Sequence, residues 1–143
     1  MEVIVDIEIE RPRQQVAAFA SDPHNDTEWI VNIKEVEWKT EPPVQKGTAI
    51  SRVAYFLGKR LAYTYVVDDF VPGELLAMRA TDGPFPMTTD YRWEDAGQGT
   101  KMTITVGGGP GGFFGLATPL LKAQMRRALN KDLAKIKQIL EAR

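Results

Sequence analysis

The sequence predicts an α+β fold, in which a curved seven-stranded antiparallel sheet wraps around a long C-terminal helix, with two short helices between strands 1 and 2. Between residues 33 and 106, short alternating segments are separated by turn residues, which is typical of consecutive strands. From Phe113 to Arg143, apolar residues recur at steps of three and four, which places them on one stripe of a helix. That helix would be about 35–40 Å long, close to the diameter of a domain of this size. Its stripe therefore needs a sheet that spans the whole domain.

The N-terminal part of the chain predicts one strand and two short helices. Glu2–Glu10 alternates apolar and mostly acidic residues with period two, which indicates a half-buried strand. Pro12 suits the first turn of a helix that continues through Val16–Ala20, and the Ser-Asp-Pro sequence at 21–23 ends it. Asn25–Trp29 is predicted as the second short helix, because the preceding Asp-Pro pair can cap it and begin it.

Six further strands are predicted to follow as a meander. The connections between them are too short for parallel crossovers, so neighbouring strands pair antiparallel in sequence order. Turn signals lie at 58–59, 72–73, 82–83 and 97–99. The predicted strands are Ile33–Thr40, Thr48–Leu57, Arg60–Phe70, Glu74–Ala80, Met87–Glu94 and Thr100–Val106.

The hairpin predicted around Gly58 and Lys59 has two candidate registers. A two-residue loop places Tyr63 opposite Ala54, whereas a three-residue loop places it opposite Val53. The two registers turn opposite faces of the hairpin towards the helix. The sequence therefore leaves open which tyrosines face inward.

Several stretches, spread over essentially the whole chain, carry a family resemblance. They are the opening strand into Arg11-Pro12 and Val16, Ser21-Asp22 with Trp29, Val71-Pro72-Gly73, Gly83-Pro84-Phe85, Tyr91-Arg92-Trp93-Glu94, Gly99-Thr100, and Asp132-Leu133-Ala134-x-Ile136-Lys137-x-x-Leu140-Glu141. These stretches resemble the polyketide cyclase/dehydrase and lipid-transport family of the START-like (SRPBCC) superfamily. The resemblance implies the helix-grip fold and a hydrophobic ligand such as a lipid, quinone, sterol or polyketide. Its motifs are structural and only some members are enzymes, so it implies no particular reaction.

The amino-acid composition excludes several classes of function. The 143 residues favour a single domain, 1–143, and the absence of cysteine excludes disulfides, thiolate catalysis and cysteine-bound metals. The net charge of −1 gives no electrostatic case for nucleic acid as the main partner. We recognise no secretory signal and no apolar run that could span a membrane, so we expect a cytoplasmic protein without stable membrane insertion. No cofactor is expected, and the oligomeric state is left open.

His24 is the only histidine, and it lies among Asp22, Asp26 and Glu28 at spacings that suggest metal ligands. Alternate residues share a face only in a strand, whereas this segment is predicted as a turn entering a helix. We therefore expect an exposed loop histidine and no metal site. A Ser-His-Asp triad is also disfavoured, because neither serine of the chain, Ser21 or Ser51, sits in a nucleophile elbow.

The glycine-rich run at 107–112 formally matches G-x-G-x-x-G. A dinucleotide site needs a second parallel strand after the helix, and the sequence predicts none, so this interpretation is rejected. Two interpretations remain open. The run is either a flexible connection or a hinged lip beside the pocket, with Phe113 and Phe114 as an apolar gate.

Aromatic residues and methionines are concentrated on segments that are predicted to face the helix. Most such residues form plain core, but buried tyrosine and tryptophan side chains prefer a polar partner, which suggests a pocket with scattered hydroxyl and indole donors. A straight helix also rarely fills a curved sheet completely, which makes such an interior pocket plausible. The candidate ligand-binding residues are Trp29, Tyr55, Tyr63, Tyr65, Phe85, Met87, Tyr91, Trp93, Met102, Phe113, Phe114, Leu121, Met125 and Leu129.

The charged residues of the strands and of the last helix are expected to be solvated. Asp90, Arg92 and Glu94 form an outward set on one strand, and a catalytic role is disfavoured for them and for Asp68 and Asp69. The basic face of the C-terminal helix has few balancing acids, chiefly Asp132 and Glu141. An anionic partner at this face, such as lipid headgroups or another protein, is the less favoured alternative.

Three functional hypotheses follow. The leading one is a carrier or sensor that holds a hydrophobic small molecule between sheet and helix, with tyrosine or tryptophan orienting it. The second is an aromatase/cyclase-like enzyme that acts on a polyketide-type substrate in the same cavity, where Tyr63 or Tyr91 supplies a proton. The third is a protein–protein interaction module that uses the basic helix face. The sequence does not decide whether the protein is an enzyme, and no catalytic residue is assigned.

Overall fold

A computed structural model describes residues 2–80, 87–108 and 119–143 of the chain. Within these residues, seven antiparallel strands form one sheet, in the order β1-β7-β6-β5-β4-β3-β2. The elements are β1 Glu2–Ile9, α1 Arg13–Ser21, a 3₁₀ turn Pro23–Asn25, α2 Asp26–Trp29, β2 Ile33–Trp38, β3 Ala49–Phe56, β4 Lys59–Val71, β5 Leu75–Ala80, β6 Met87–Ala96, β7 Gly99–Gly108 and α3 Pro119–Glu141. The predicted helix-grip architecture is confirmed.

The sheet is a meander from β2 to β7, and β1 closes it against β7. Each pair from β2 to β7 joins strands that are adjacent in the sequence. The first strand pairs with the last, from Glu2 opposite Gly107 to Ile9 opposite Thr100. A Cβ on Gly99 would lie 2.5 Å from the carbonyl oxygen of Ile9, so the start of β7 approaches the end of β1 more closely than a side chain allows.

The β3–β4 hairpin turns at Leu57 and Gly58, and neither predicted register is correct. Both turn residues have positive φ, 53° and 77°, as a tight two-residue hairpin turn requires. The pairing places Tyr63 opposite Arg52. The loop has the shorter of the two predicted lengths, but it begins one residue earlier, because glycine takes the second position of the turn. The pairing therefore shifts by two residues, and Tyr63 keeps the face that the two-residue loop predicts.

Helix α3 is buried unevenly along its length. It packs against β1 and α2, and its fully buried apolar side chains, Leu133, Ile136 and Leu140, all lie in its C-terminal half. In the N-terminal half, Leu120 is 69% exposed although the apolar spacing predicts it to be buried. The sheet thus covers the stripe only in part, since the described contacts of α3 with the sheet are mainly with the edge strand β1. So far as the described residues show, no helix is long and apolar enough to cross a membrane.

The C-terminal end of α3 is tied to the end of β1. The Arg11 guanidinium donates to the carbonyl oxygens of Glu141 and Arg143 at 2.6 and 2.8 Å. The Glu141 carboxylate accepts from the Glu10 backbone N–H at 2.7 Å and from Lys137 at 2.8 Å. These bonds lower the pKa of Glu141, the Glu10 N–H having the largest effect. They hold one end of the helix across the sheet.

Candidate ligand-binding site

A buried ion pair lies on the inner face of the sheet. Arg52 occupies an inward position of β3, between the buried Ile50 and Ala54. Its Nε and Nη2 atoms donate to Oδ2 of Asp26 at 3.0 and 2.7 Å. Asp26 is the first residue of α2, and both side chains are almost fully buried. The ion pair therefore joins the short helix to the middle of the sheet.

Tyrosine side chains surround the Arg52 guanidinium. Its Cζ atom lies 4.3 Å from the centre of the Tyr65 ring, which is a cation–π contact. Tyr63 lies opposite Arg52 in the sheet, and Tyr91 is close enough to interact with it electrostatically. Burial raises the pKa values of Tyr65 and Tyr91 despite the opposing effect of Arg52. Both phenols consequently keep their protons at neutral pH.

The two members of the ion pair respond to burial differently. Burial alone would lower the pKa of Arg52, but the Asp26 carboxylate and the phenol oxygens raise it well above its ordinary value. Burial raises the pKa of Asp26, and Arg52 opposes that rise through its charge and its hydrogen bonds. Burial therefore destabilises the charged form of the Asp26 carboxyl group, while Arg52 remains protonated in the core.

A second carboxyl group, Asp132, lies in the same region of the core. The sequence predicts it on the solvated basic face of α3, but its side chain is buried and accepts the Val31 backbone N–H at 2.9 Å. Burial raises its pKa to about 7, against the lowering effects of that hydrogen bond and of Arg52. The expectation of a solvated Asp132 is wrong because α2 and the residues after it pack over this part of the helix.

Three aromatic rings continue the cluster along the sheet. Tyr91 packs edge-on against Trp29 and Trp93, with ring centres 5.6 and 6.2 Å apart. Among the described residues, the buried indole N–H groups of Trp29 and Trp93 have no hydrogen-bond partner. The inner face thus combines an apolar body with several polar donors.

The cavities that described residues line differ in size and position. The cavity that reaches the Arg52 cluster has a volume of about 20 Å³, which is room for about one water molecule. A larger concavity of about 410 Å³ lies between α1 and the β2–β3 connection, away from this cluster. The residues that line the small cavity are Arg52, Tyr63, Tyr65, Met78, Arg79, Ala80, Met87 and Thr89.

Comparisons with known proteins assign the chain to a family. Residues 1–141 match the family described as polyketide cyclase/dehydrase and lipid transport. The chain belongs to this family. A sequence comparison with curated proteins finds no match.

Several solved structures share the fold of this chain at low sequence identity. Protein TTHA0849 from Thermus thermophilus is 18% identical, with a TM-score of 0.83 over 99% of this chain and 98% of that one. A START superfamily protein from Mycobacterium smegmatis is 11% identical, with a TM-score of 0.82 over 99% and 97%. The Zhui aromatase/cyclase from Streptomyces sp. R1128 is 18% identical, with a TM-score of 0.77 over 99% and 93%. These structures share the predicted fold, and the family match over residues 1–141 confirms the expected family.

The candidate ligand-binding residues of this chain fall into four groups. Trp29, Tyr65, Tyr91, Trp93 and Met102 are buried inside, and Tyr63, Met87, Leu121, Met125 and Leu129 are half-buried. Tyr55 is 44% exposed and lies on the opposite face of β3 from Arg52, so it does not join the cluster. Phe85, Phe113 and Phe114 lie outside the described residues, as does the predicted aromatic gate.

The remaining candidate side chains lie at the surface. His24 is exposed on the 3₁₀ turn, where it hydrogen-bonds Asp22 at 2.9 Å and its ring packs against Trp38. Asp68 pairs with Arg79 at 2.7 Å on the exposed face of the sheet. Within the described part of the chain, no group of three or more potential metal ligands is found.

Besides Asp132, the sequence interpretation missed two site residues, Arg52 and Asp26. Ile50, Arg52 and Ala54 are alternate residues of β3 and share one face of the strand. A cation between two apolar residues on that face was the available signal. Asp26 carries a weaker signal, because it lies one helical turn before the buried Trp29. Their contact joins residues 26 positions apart, and no short-range pattern predicts it.

Proposed function

We propose that this protein is a carrier or sensor for a hydrophobic small molecule that bears an oxygen-containing end group, such as a lipid, a quinone or a polyketide-like compound. The single observation that carries the proposal is the buried Arg52 guanidinium, which is ringed by phenols and lines a cavity on the inner face of the sheet. A binding site in an apolar core uses a few such polar groups to orient its ligand.

The guanidinium has hydrogen-bonding capacity left for a ligand. Its Nε and Nη2 atoms are used by Asp26, whereas its Nη1 atom has no hydrogen-bond partner among the described residues. A carbonyl, hydroxyl or carboxylate oxygen placed in the adjoining cavity could accept from Nη1 and from the Tyr63 or Tyr65 hydroxyl groups. This combination favours an oxygen acceptor over a purely hydrocarbon ligand.

The apolar part of the ligand would complete the burial of residues that the protein leaves half-buried. Leu121, Met125 and Leu129 recur on one stripe of α3, and each is only partly covered. Methionine adapts its shape easily to different ligands. Because the described cavity holds about 20 Å³, binding requires side chains such as Met87 and Tyr63 to move aside.

The test begins with native mass spectrometry of the purified protein, to detect co-purifying small molecules. Affinity is then measured for a fluorescent polyene fatty acid and for its hydrocarbon analogue. The double variant Arg52→Gln/Asp26→Asn removes both charges without leaving either one unpaired. We expect it to bind the fatty acid about tenfold more weakly, or worse, and to lose the preference over the hydrocarbon.

The exposed Tyr55 provides the matched control, since Tyr55→Phe removes a phenol from the opposite face of β3. It should leave both affinities unchanged. A protein that binds neither probe, or a double variant that keeps the full preference, would show that the Arg52 cluster does not hold a ligand. Recovery of the bound molecule with unchanged mass after prolonged incubation supports a carrier or sensor.

An aromatase/cyclase-like enzyme is the second candidate, and Asp132 favours it. A carboxyl group whose pKa is raised to about 7 can both accept and donate a proton at neutral pH. Tyr91 remains a protonated donor in the same core. The enzyme hypothesis predicts a changed mass of the bound molecule. Tyr91→Phe should then lower turnover with little effect on affinity, whereas in a carrier it changes affinity alone.

A further inference from the structure

Helix α3 concentrates positive charge in a chain that is slightly acidic overall. It contains six basic and two acidic residues, whereas the whole chain has a net charge of −1. Neither acid balances the outer face, because Asp132 is buried and Glu141 is bonded to Lys137 and to the Glu10 backbone. The positive charge of the helix is therefore a local feature of one surface.

Four cations on this helix, Arg126, Arg127, Lys131 and Lys135, are exposed. Among residues 2–80, 87–108 and 119–143, none of them forms a salt bridge. Part of this set lies on an open, shallow surface along the helix, in which small side chains lie between the long basic ones. The residues of this surface are Ala123, Arg126, Arg127, Asn130, Lys131 and Ala134.

Exposed apolar side chains lie beside these cations. A depression of about 140 Å³ joins α3 to the start of β2 and the end of β3, and Val31, Phe56, Arg127 and Lys131 are among its lining residues. Val31 is 44% exposed. Leu57, the residue after Phe56, is 58% exposed at the tip of the hairpin. Leu120, one helical turn before Gln124 of the same depression, is 69% exposed.

Leu57 is an unusual choice for its position. Its φ of 53° lies in the left-handed region, where glycine or asparagine fits at lower cost than leucine. A strained and solvent-exposed leucine at a turn tip does not stabilise the fold, so a contact outside the folded chain is the simplest reason for it.

We propose that the surface formed by Arg126, Arg127 and Lys131 with Leu57 and Leu120 docks onto an anionic lipid bilayer. An anionic bilayer offers negatively charged headgroups for the cations and, just below them, an apolar layer for the leucines. A nucleic acid or an acidic protein matches the charges but offers no comparable layer for two protruding leucines. The proposal does not depend on the ligand in the core, because its residues differ from those of the Arg52 cluster.

The test measures co-sedimentation of the full chain with phosphatidylcholine vesicles, with and without phosphatidylserine, at low and at high salt. We expect binding that requires phosphatidylserine and weakens as salt screens the charges. The variant Arg126→Glu/Arg127→Glu should lower binding about 30-fold or more, since each basic residue near such a surface contributes about 1 kcal/mol. The variant Leu57→Ser/Leu120→Ser should lower it about tenfold.

A charge-matched control uses Lys46→Glu/Arg92→Glu. Lys46 lies on the β2–β3 connection and Arg92 on the outer face of β6, both exposed and outside the proposed surface. This control should bind nearly as the wild type does, and so should Arg52→Gln/Asp26→Asn, whose change affects only the core. Normal circular dichroism spectra confirm that each variant is folded.

Three results would overturn the proposal. The first is equal binding to vesicles with and without phosphatidylserine, or no binding at low salt. The second is an equal loss in the Lys46/Arg92 control, which would indicate attraction by net charge alone. The third is unchanged vesicle binding in the leucine variant together with arginine-dependent binding to a polyanion or an acidic protein, which would assign the surface to such a partner.

Discussion

The buried Asp132 should make the stability of this protein fall as pH rises between about 4 and 7. Its pKa is raised from 3.8 to about 7 by burial in the folded protein, so the folded state holds a proton that the unfolded chain releases. The free energy of unfolding therefore decreases as pH rises across this window, and above it Asp132 causes no further change with pH. The full shift corresponds to at most roughly 4 kcal/mol.

The Asp132→Asn variant isolates this effect, because an amide is neutral at every pH and its oxygen can still accept the Val31 N–H. Urea unfolding, followed by circular dichroism at several pH values from about 4.5 to 8, gives the unfolding free energies. As pH rises over this range, we expect the unfolding free energy of the variant to increase relative to that of the wild type by up to roughly 4 kcal/mol. Any constant cost of burying the amide shifts the whole curve and leaves this change unaffected.

An exposed carboxylate provides the control for this experiment. Asp69→Asn, on the exposed part of β4, should leave the pH profile of stability parallel to that of the wild type. Glu141 does not interfere, because its lowered pKa makes it lose stabilisation only as pH falls towards more acidic values. Parallel profiles for Asp132→Asn and the wild type would refute the assignment of a protonated Asp132 in the folded state.

Three further predictions concern stability. Arg52→Met should lower the unfolding free energy by about 3–5 kcal/mol in urea titrations, because it leaves Asp26 buried without its partner, and the additional change Asp26→Asn should restore part of the loss. Gly99→Ala should lower the melting temperature by several degrees, since the new Cβ would lie 2.5 Å from the Ile9 carbonyl oxygen and force β7 away from β1; an unchanged melting temperature would contradict this close approach. Leu57→Asn should raise the unfolding free energy by up to about 1 kcal/mol, because asparagine tolerates positive φ better, while vesicle binding becomes weaker. A stabilised variant with full vesicle binding would separate the strain of Leu57 from its proposed role.

The architecture was predictable because it depends on periodicity. Alternation with period two identifies the strands, short connections require antiparallel neighbours, and apolar spacing of three and four identifies α3. The error in the β3–β4 register has a local cause. The sequence favours a turn at Gly58-Lys59. In the structure the turn residues are Leu57 and Gly58, with Leu57 in the left-handed region and Gly58 at the second turn position. A one-residue displacement of the turn is below the resolution of such patterns.

The polar groups of the candidate site were less predictable, because each depends on a contact between distant segments. Asp132 accepts from Val31, which is 101 positions away in the sequence, and Arg52 pairs with Asp26 across 26 positions. A lone charged residue in an alternating strand is usually assigned to the solvent face. Only the neighbouring inward residues of β3 indicate that Arg52 is an exception, and its partner is known only once α2 is placed over the sheet.

The uneven burial of α3 relates the core cluster to the proposed membrane surface. The C-terminal half of the helix is held by Leu133, Ile136 and Leu140 and by the bonds of Arg11 and Glu141 at its end. As far as the described residues show, the N-terminal half has only half-buried apolar residues inside and cations without salt bridges outside. Folding alone would favour full burial of such a long apolar stripe, because burying a leucine side chain stabilises the folded state by about 1.5–3 kcal/mol. Among the described residues, this stabilisation is missing at one end of the helix only, which is the end beside the proposed membrane surface.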